Sequence, residues 1–275
     1  MTGFIGGGNM AEALIKGMVK SQPPSAARPG GTSETEYEIF VSEPSEERRK
    51  YLQRTYDIRT TQSNKEVVSA SDILILAVKP QILDSVLDEI AGLITDEKTV
   101  VSIAAGITLS YLSARINTKK LIRVMPNTPA LVQEGMSVMS LYEGFPDKDI
   151  AAVKETFMSI GKVLTMPEES MNAVTALSGS GPAFFALFVE AMIESGEQMG
   201  LRREDAAQLA VQTMCGTAKL LDTGMSPEKL RQMVTSPGGT TEAGLGVFGE
   251  KDLKGTVGEA LSAARKRAEE LGRRA

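Results

Sequence analysis

The stretch from Phe4 to Val19 constrains the chain most. Phe4-Ile5 reads as the end of a buried strand, Gly6-Gly7-Gly8-Asn9-Met10-Ala11 as a turn, and Glu12 to Val19 as a helix with apolar residues at helical spacing. Strand, glycine turn and helix in that order suit a dinucleotide pyrophosphate. Gly6 allows the tight turn, Gly8 lets the backbone approach the phosphates, and the helix N-terminus offers free N–H groups and a positive dipole end. Ala11, at the third position of the G-x-G-x-x-G/A fingerprint, is small enough for close helix–strand packing. A glycine turn alone is a weak signal; its weight comes from opening an α/β pattern. Gly6, Gly7, Gly8, Asn9 and Met10 are therefore predicted to hold a cofactor.

Downstream, β–α alternation continues. Strands are predicted at Glu38–Val41, Asp57–Thr61, Ile73–Val78, Thr99–Ile103 and Lys120–Met125, then at Ser137–Leu141 and Lys162–Met166, with amphipathic helices between them. Such a series predicts a doubly wound, mainly parallel sheet of the Rossmann type. In that fold ligands lie beyond the carboxyl ends of the strands, where Lys79 and Pro80 follow one strand and Pro126-Asn127-Thr128-Pro129 cap another. Past the second strand stand Ser42, Glu43, Ser45, Arg48 and Arg49. An acid there binds a ribose 2′-hydroxyl, whereas basic or hydroxyl groups accommodate a 2′-phosphate. Glu43 supports NADH and the others leave NADPH open. The Pro-, Ser- and Gly-rich stretch from Ser21 to Glu36 reads as a surface loop.

After Met166-Pro167 no strand pattern returns, and periodic helices run onward. Two domains are expected, a dinucleotide-binding Rossmann domain over 1–167 and a helical dimerisation and substrate domain over 168–275. The helix from Pro182 to Met199 places Phe184, Phe188, Ala191, Met192 and Ser195 on one face, and that from Glu204 to Leu221 carries Ala207, Ala210, Val211, Met214, Ala218 and Leu221. This is more apolar surface than a helical domain of that size can hide, so an oligomer is expected. The closing helix ends in Arg265-Lys266-Arg267 and Arg273-Arg274, cations that complement its dipole. Two glycine-rich turns stand out, Leu177–Pro182 and Thr235–Gly244. The second combines Pro237, Gly238 and Gly239 with Ser236, Thr240 and Thr241 ahead of a new helix, which is the make-up of a carboxylate-binding nest.

Composition removes several chemistries. The chain has no histidine, which excludes Ser-His-Asp and Cys-His catalysis, His-ligated zinc and imidazole acid–base work. No metal site is expected. With 30 basic against 35 acidic residues, a net charge of −5 offers no nucleic-acid surface. No apolar run is expected to approach the roughly 20 residues of a membrane span. The first strand starts too close to Met1 to leave room for a leader, and Cys215 alone points to a reducing compartment, so the cytoplasm is the expected location.

Taken together, Phe4–Ala11, Ala77-Val78-Lys79-Pro80, Arg123–Pro129, Leu177–Ala183 and above all Ser236–Thr241 resemble the delta-1-pyrroline-5-carboxylate reductases, which catalyse the last step of proline biosynthesis. The resemblance covers essentially the whole chain. It implies an oxidoreductase that uses NADPH or NADH to reduce the cyclic imine of 1-pyrroline-5-carboxylate to L-proline. It also implies a homodimer, often assembled further into a ring of dimers, with the site between one subunit's Rossmann domain and helices of its partner. Ser236 and the N–H groups around Gly239 and Thr240 would then bind the substrate carboxylate, and Thr241 would sit by the ring nitrogen as the catalytic residue. Ala77, Val78, Lys79, Pro80, Ala104, Ala105, Gly106 and Asn127 would hold the nicotinamide half, while Ser42 and Glu43 would meet the adenosine ribose.

The chemistry agrees with the missing histidine. An imine needs a hydride on carbon and a proton on a nitrogen basic enough to arrive protonated, so orientation does most of the work. Two other readings compete. A hydroxyacid dehydrogenase relative would place a catalytic lysine in the helical domain, yet Lys219 and Lys229 lie in no glycine-rich turn. A dinucleotide-sensing or pyridoxal-phosphate-carrying regulatory protein would bind without turnover, against the hydroxyl-bearing turn at Ser236–Thr241.

Overall fold

The computed structural model describes residues 1–21 and 38–272. Of the loop expected over Ser21–Glu36 all but Ser21 lies outside the described residues, as do Arg273 and Arg274. The chain alternates β1 (Thr2–Ile5), α1 (Asn9–Ser21), β2 (Ile39–Ser42), α2 (Glu46–Tyr56), β3 (Arg59–Thr61), α3 (Asn64–Ala70), β4 (Ile73–Leu76), α4 (Pro80–Ile90), β5 (Thr99–Ser102), α5 (Leu109–Arg115) and β6 (Leu121–Met125). Then come β7 (Gly135–Leu141), α6 (Asp147–Met158), β8 (Gly161–Thr165) and α7 (Met171–Val174). Five helices follow: α8 (Gly181–Gln198), α9 (Arg203–Asp222), α10 (Pro227–Met233), α11 (Thr240–Glu250) and α12 (Leu253–Gly272).

All eight strands form one sheet in the order β3-β2-β1-β4-β5-β6-β7-β8. The strands from β3 to β6 are parallel, and the order reverses between β1 and β4, the switch point of a Rossmann sheet. β7 runs antiparallel to β6. The short link from Pro126 to Glu134 cannot make the crossover of about a dozen residues or more that a parallel neighbour requires. Gln133, in the left-handed conformation at φ 60°, helps turn the chain back. α6 then supplies a true crossover, and β8 returns parallel to β7.

The apolar strand residues alternate between two cores. Phe4, Val41, Ile75, Val101 and Ile122 pack with Leu14, Ile15 and Met18 of α1 and Phe157 of α6. Their neighbours Ile5, Phe40, Leu74, Leu76 and Val100 pack with Val67 and Val68 of α3 and Leu83 and Leu87 of α4. Both faces are covered, so the strands read as unbroken apolar runs. Each fully buried side chain of this size contributes about 1.5–3 kcal/mol.

Two compact units emerge, one made of Met1–Ser180 with Ala264–Ala275, the other of Gly181–Ala263. The second buries little in a single chain. On α8 and α9, Phe185 is 65% exposed, and Leu187, Phe188, Met192, Leu209 and Met214 are also exposed. Phe185, Phe188, Met192, Met214 and Leu221 line an apolar cleft of about 350 Å³. The helical run Glu168–Gln198 has a window of mean hydropathy 1.5, long and apolar enough by length and composition to cross a membrane, with 17% of that window buried. This departs from the expectation that no run approaches membrane length. On α12, Arg265 pairs with Glu269 and Arg267 with Glu270, so these cations serve local ion pairs.

Candidate active site

The carboxyl ends of β1, β4, β5 and β6 lie side by side on one edge of the sheet, with Ile5 opposite Leu76, Leu76 opposite Ser102 and Ser102 opposite Arg123. Nearly every residue expected to hold a cofactor follows one of these ends or that of β2. Gly6 turns the chain off β1 at φ 98°, and a Cβ there would lie 2.9 Å from the Ala77 carbonyl oxygen and 3.0 Å from Val78 Cγ1. Only glycine lets the two strand ends approach so closely. At Gly8 an added Cβ would meet nothing within 4 Å, which leaves open space over the turn where a pyrophosphate would lie. α1 begins at Asn9 and Met10, and Ala11 is buried against the sheet. The first N–H groups of such a helix have no intrahelical acceptor, so they remain available to an anion.

Gly7 is clamped from both sides. Its N–H donates to Glu43 Oε2 at 3.0 Å, and its carbonyl accepts from Arg48 Nε at 2.7 Å. The other Glu43 oxygen accepts the Ser45 N–H at 3.0 Å. Arg48 also pairs with Glu12 at 2.5 Å, and the same carboxylate accepts from Tyr51 at 2.8 Å and Tyr56 at 2.7 Å. Burial alone would raise the Glu12 pKa, but hydrogen bonds from Tyr56, Tyr51 and Arg48 outweigh it and hold the carboxyl below its ordinary value. Tyr56 is pushed the other way, by burial and then by its hydrogen bond to Glu12 and the charge of that carboxylate. Ser42 is buried and donates to Asn64 Oδ1 at 2.6 Å, so its hydroxyl serves the sheet edge.

At the end of β4, Ala77 and Val78 are half-buried. Lys79 is exposed, and with Pro80 following, α4 starts without a side-chain cap. The Lys79 ammonium has no hydrogen-bond or ion-pair partner among the described residues. Beyond β5, Ala104 is buried and Ala105 half-buried. Gly106 stands at φ 80° against the last turn of α12, where its Cβ would meet Leu271 Cβ at 3.3 Å. Beyond β6, Asn127 uses its whole amide internally. Its Oδ1 accepts the Met136 N–H at 2.8 Å, and its Nδ2 donates to Ser178 Oγ at 3.2 Å and to the Ser178 carbonyl at 3.3 Å. Ser178 belongs to a π-helical turn, Thr175–Gly179.

The other expected site residues lie in the second unit. Gly238 takes φ 73° and donates its N–H to Glu242 Oε2 at 2.7 Å, while Gly239 N–H returns to the Ser236 carbonyl at 3.0 Å. A Cβ on Gly239 would run into Ser236 Oγ, so the serine side chain lies across the turn. α11 opens with Thr240 and Thr241, and its cap residue Gly239 offers no side chain to them. By contrast Ser45, Ser63, Thr108 and Ser226 each cap a helix with a hydroxyl. The start of α11 thus gathers uncapped N–H groups beside three hydroxyls. No group of acidic, thiol or imidazole side chains able to hold a metal occurs among the described residues.

Sequence reasoning missed the clamp on Gly7 and the Asn127–Ser178 link. Both join residues far apart in the chain, through side chains that the sequence pointed at a cofactor and not at one another. Only the charge of Arg48, opposite Glu12 across the first helix pair, hinted at either.

Known proteins resemble this chain over nearly its whole length. A pyrroline-5-carboxylate reductase of Synechocystis sp. is 41% identical over 275 residues, spanning 99% of this chain and 98% of its own. The chain belongs to the pyrroline-5-carboxylate reductase family. Residues 168–271 match the family described as pyrroline-5-carboxylate reductase dimerisation, which accounts for the apolar faces of α8 and α9. Residues 1–106 match the coenzyme F420-dependent NADP oxidoreductases. A solved pyrroline-5-carboxylate reductase from Coxiella burnetii superposes with a TM-score of 0.88 at 33% identity, covering 98% of this chain and 97% of that one. The Plasmodium falciparum enzyme, solved with NADP bound, gives 0.83 at 31% identity, covering 98% and 97%.

Proposed function

We infer that this chain is an NAD(P)H-dependent reductase that converts 1-pyrroline-5-carboxylate to L-proline, and that it works as a homo-oligomer. The observation that carries this is one chain holding both an open glycine turn at the Rossmann switch point and the Ser236–Thr241 turn, within a full-length family match. Bound NAD(P)H supplies the hydride. In our proposal Gly6, Gly7, Gly8, Asn9 and Met10 seat the pyrophosphate. Ala77, Val78, Lys79, Pro80 and Ala104–Gly106 shape the nicotinamide half, with Lys79 free to meet a ribose or phosphate oxygen. Asn127 acts there through the Ser178 turn that it holds.

The substrate carboxylate is proposed to sit on Ser236 and the N–H groups of Thr240 and Thr241 beside Gly239. Thr241 would then orient the ring nitrogen, where the proton resides, while hydride reaches the imine carbon. The nitrogen's own basicity removes the need for imidazole. The dinucleotide and substrate roles are assigned to residues 1–167 and 168–275. A ring of dimers and a cytoplasmic location complete the proposal, the latter supported by the exposed free thiol of Cys215.

The deciding experiment follows nicotinamide absorbance on adding pyrroline-5-carboxylate with NADPH or NADH, and identifies the product. Oxidation with proline formed is expected. Dinucleotide binding without oxidation would favour a sensor instead. Thr241→Ala should lower kcat by about 10²-fold or more, in the range for a positioned proton-handling group, while nucleotide binding is kept. Unchanged kcat would remove Thr241 from the chemistry.

A further inference from the structure

Among the described residues Arg123 is the only charged one that is buried, with 5% of its surface exposed. Its β6 neighbours Ile122 and Val124 pack with α1. The two-residue period of a strand therefore turns Arg123 to the other face, which Leu121 shares with Leu109 and Leu112 of α5. One terminal nitrogen donates to Glu168 Oε1 at 3.1 Å, and the same oxygen accepts the Leu109 N–H at 2.7 Å. The other two guanidinium nitrogens have no partner among the described residues. Only Gln133 Nε2 and Ser137 Oγ are buried there without a partner, so the open Arg123 nitrogens reach solvent. The opening they reach is a cavity of about 500 Å³ that Arg123 lines.

This cavity lies wholly within the first compact unit, and of the residues assigned above to cofactor or substrate only Gly106 borders it. Its other charges are carboxylates. Glu168 is engaged by Arg123, whereas Glu169 is exposed and has no partner among the described residues. Glu269 gives one oxygen to Arg265 at 3.0 Å and keeps the other free. Asn172 also lines the wall, with its amide unpartnered there. A recessed guanidinium with open N–H groups draws a carboxylate or phosphate. A simple anion, however, would also meet Glu169 and Glu269, and a simple cation would meet Arg123. A small molecule carrying both charges is opposed by neither.

We infer that this cavity binds a small polar α-amino acid, its carboxylate on Arg123 and Asn172 and its ammonium on Glu169 and Glu269. Arg123 belongs to β6 and Glu269 to the last turn of α12, so the occupant ties that turn to the sheet. The same turn carries Leu271 and Gly272 over Gly106. The inference uses the cavity alone and no reading of the reaction.

The test adds L-serine to the whole protein without nucleotide and follows amide hydrogen exchange by mass spectrometry. Two analogues that each lack one charge, 3-hydroxypropionate and ethanolamine, are run beside it. Serine should slow exchange in the last turn of α12 and around Asn172. Each analogue should bind about tenfold more weakly or worse, having lost the hydrogen bonds of one charged group. Removing Arg123 would leave Glu168 unpaired and weaken the fold. The variants are therefore Asn172→Asp, which sets a negative charge where the carboxylate would lie, and Glu169→Gln. Each should lower serine affinity by about tenfold with the thermal midpoint kept. Ser236→Ala should bind serine as the wild type does. No protection by serine up to about 10 mM would overturn the inference. So would unchanged affinity in either wall variant, or an analogue that binds as tightly as serine, which would make this a plain anion or cation site. Loss of binding in Ser236→Ala would place serine in the Ser236–Thr241 turn instead. Since no turnover is measured, failure of the reductase assay and failure of this inference remain separate results.

Discussion

Gly6 shows how far a single residue can matter. Its φ of 98° is costly for any other residue, and the space for a Cβ is already filled by the Ala77 carbonyl and Val78. Gly6→Ala should therefore destabilise the protein by about 1–3 kcal/mol, the cost of a strained backbone position. It should also weaken dinucleotide binding, because relief of the clash pushes the β1 and β4 ends apart. Thermal unfolding with a parallel NADPH titration checks both effects, and an unshifted midpoint would contradict the geometry. Glu12 makes a different residue-scale prediction. Its folded pKa lies below the ordinary 4.5, so its contribution to stability is fully present above that pH and fades as pH falls through the folded value. Glu12→Gln should unfold earlier than wild type at pH 7, with the gap narrowing below pH 4.5. A gap that is the same at pH 7 and pH 3 would show that the charge itself adds nothing.

At the scale of elements, most of the sheet was legible because a parallel strand buried on both faces can hardly be anything else. Ile73–Leu76 is such a run, as are β5 and β6. The change from strands to helices after Met166 was equally plain, since no strand follows β8 among the described residues. Three features escaped. The reversal at β7 depends on how short the link from Pro126 is, a matter of chain geometry more than of residue type. The π-helical turn at Thr175–Gly179 is met by Asn127, which reaches Ser178 from another element. Glu43 and Arg48 stood out in the sequence as groups beside the adenosine ribose, yet they clamp the Gly7 peptide. Local pattern reports which face an element buries. It does not report which polar group, distant in the chain, will be waiting there.

For the whole molecule, the exposed apolar faces of α8 and α9 belong to the stretch that matches the dimerisation family, and the interface is proposed to lie there. Phe185→Asp should shift the protein towards monomers in light scattering, since a charge in a closed interface costs several kcal/mol unless paired. A dimer that survives this change at micromolar concentration would place the interface elsewhere. The first unit, meanwhile, is discontinuous: residues up to Ser180 are completed by those from Ala264 onward. Leu271 and Gly272, from that returning segment, cover Gly106. On the ribosome these residues emerge only after the helices of the second unit. A nascent chain can assemble its sheet early, but the Ala104–Gly106 turn gains its packing partner last, so a chaperone or protease meets this corner bare throughout most of synthesis.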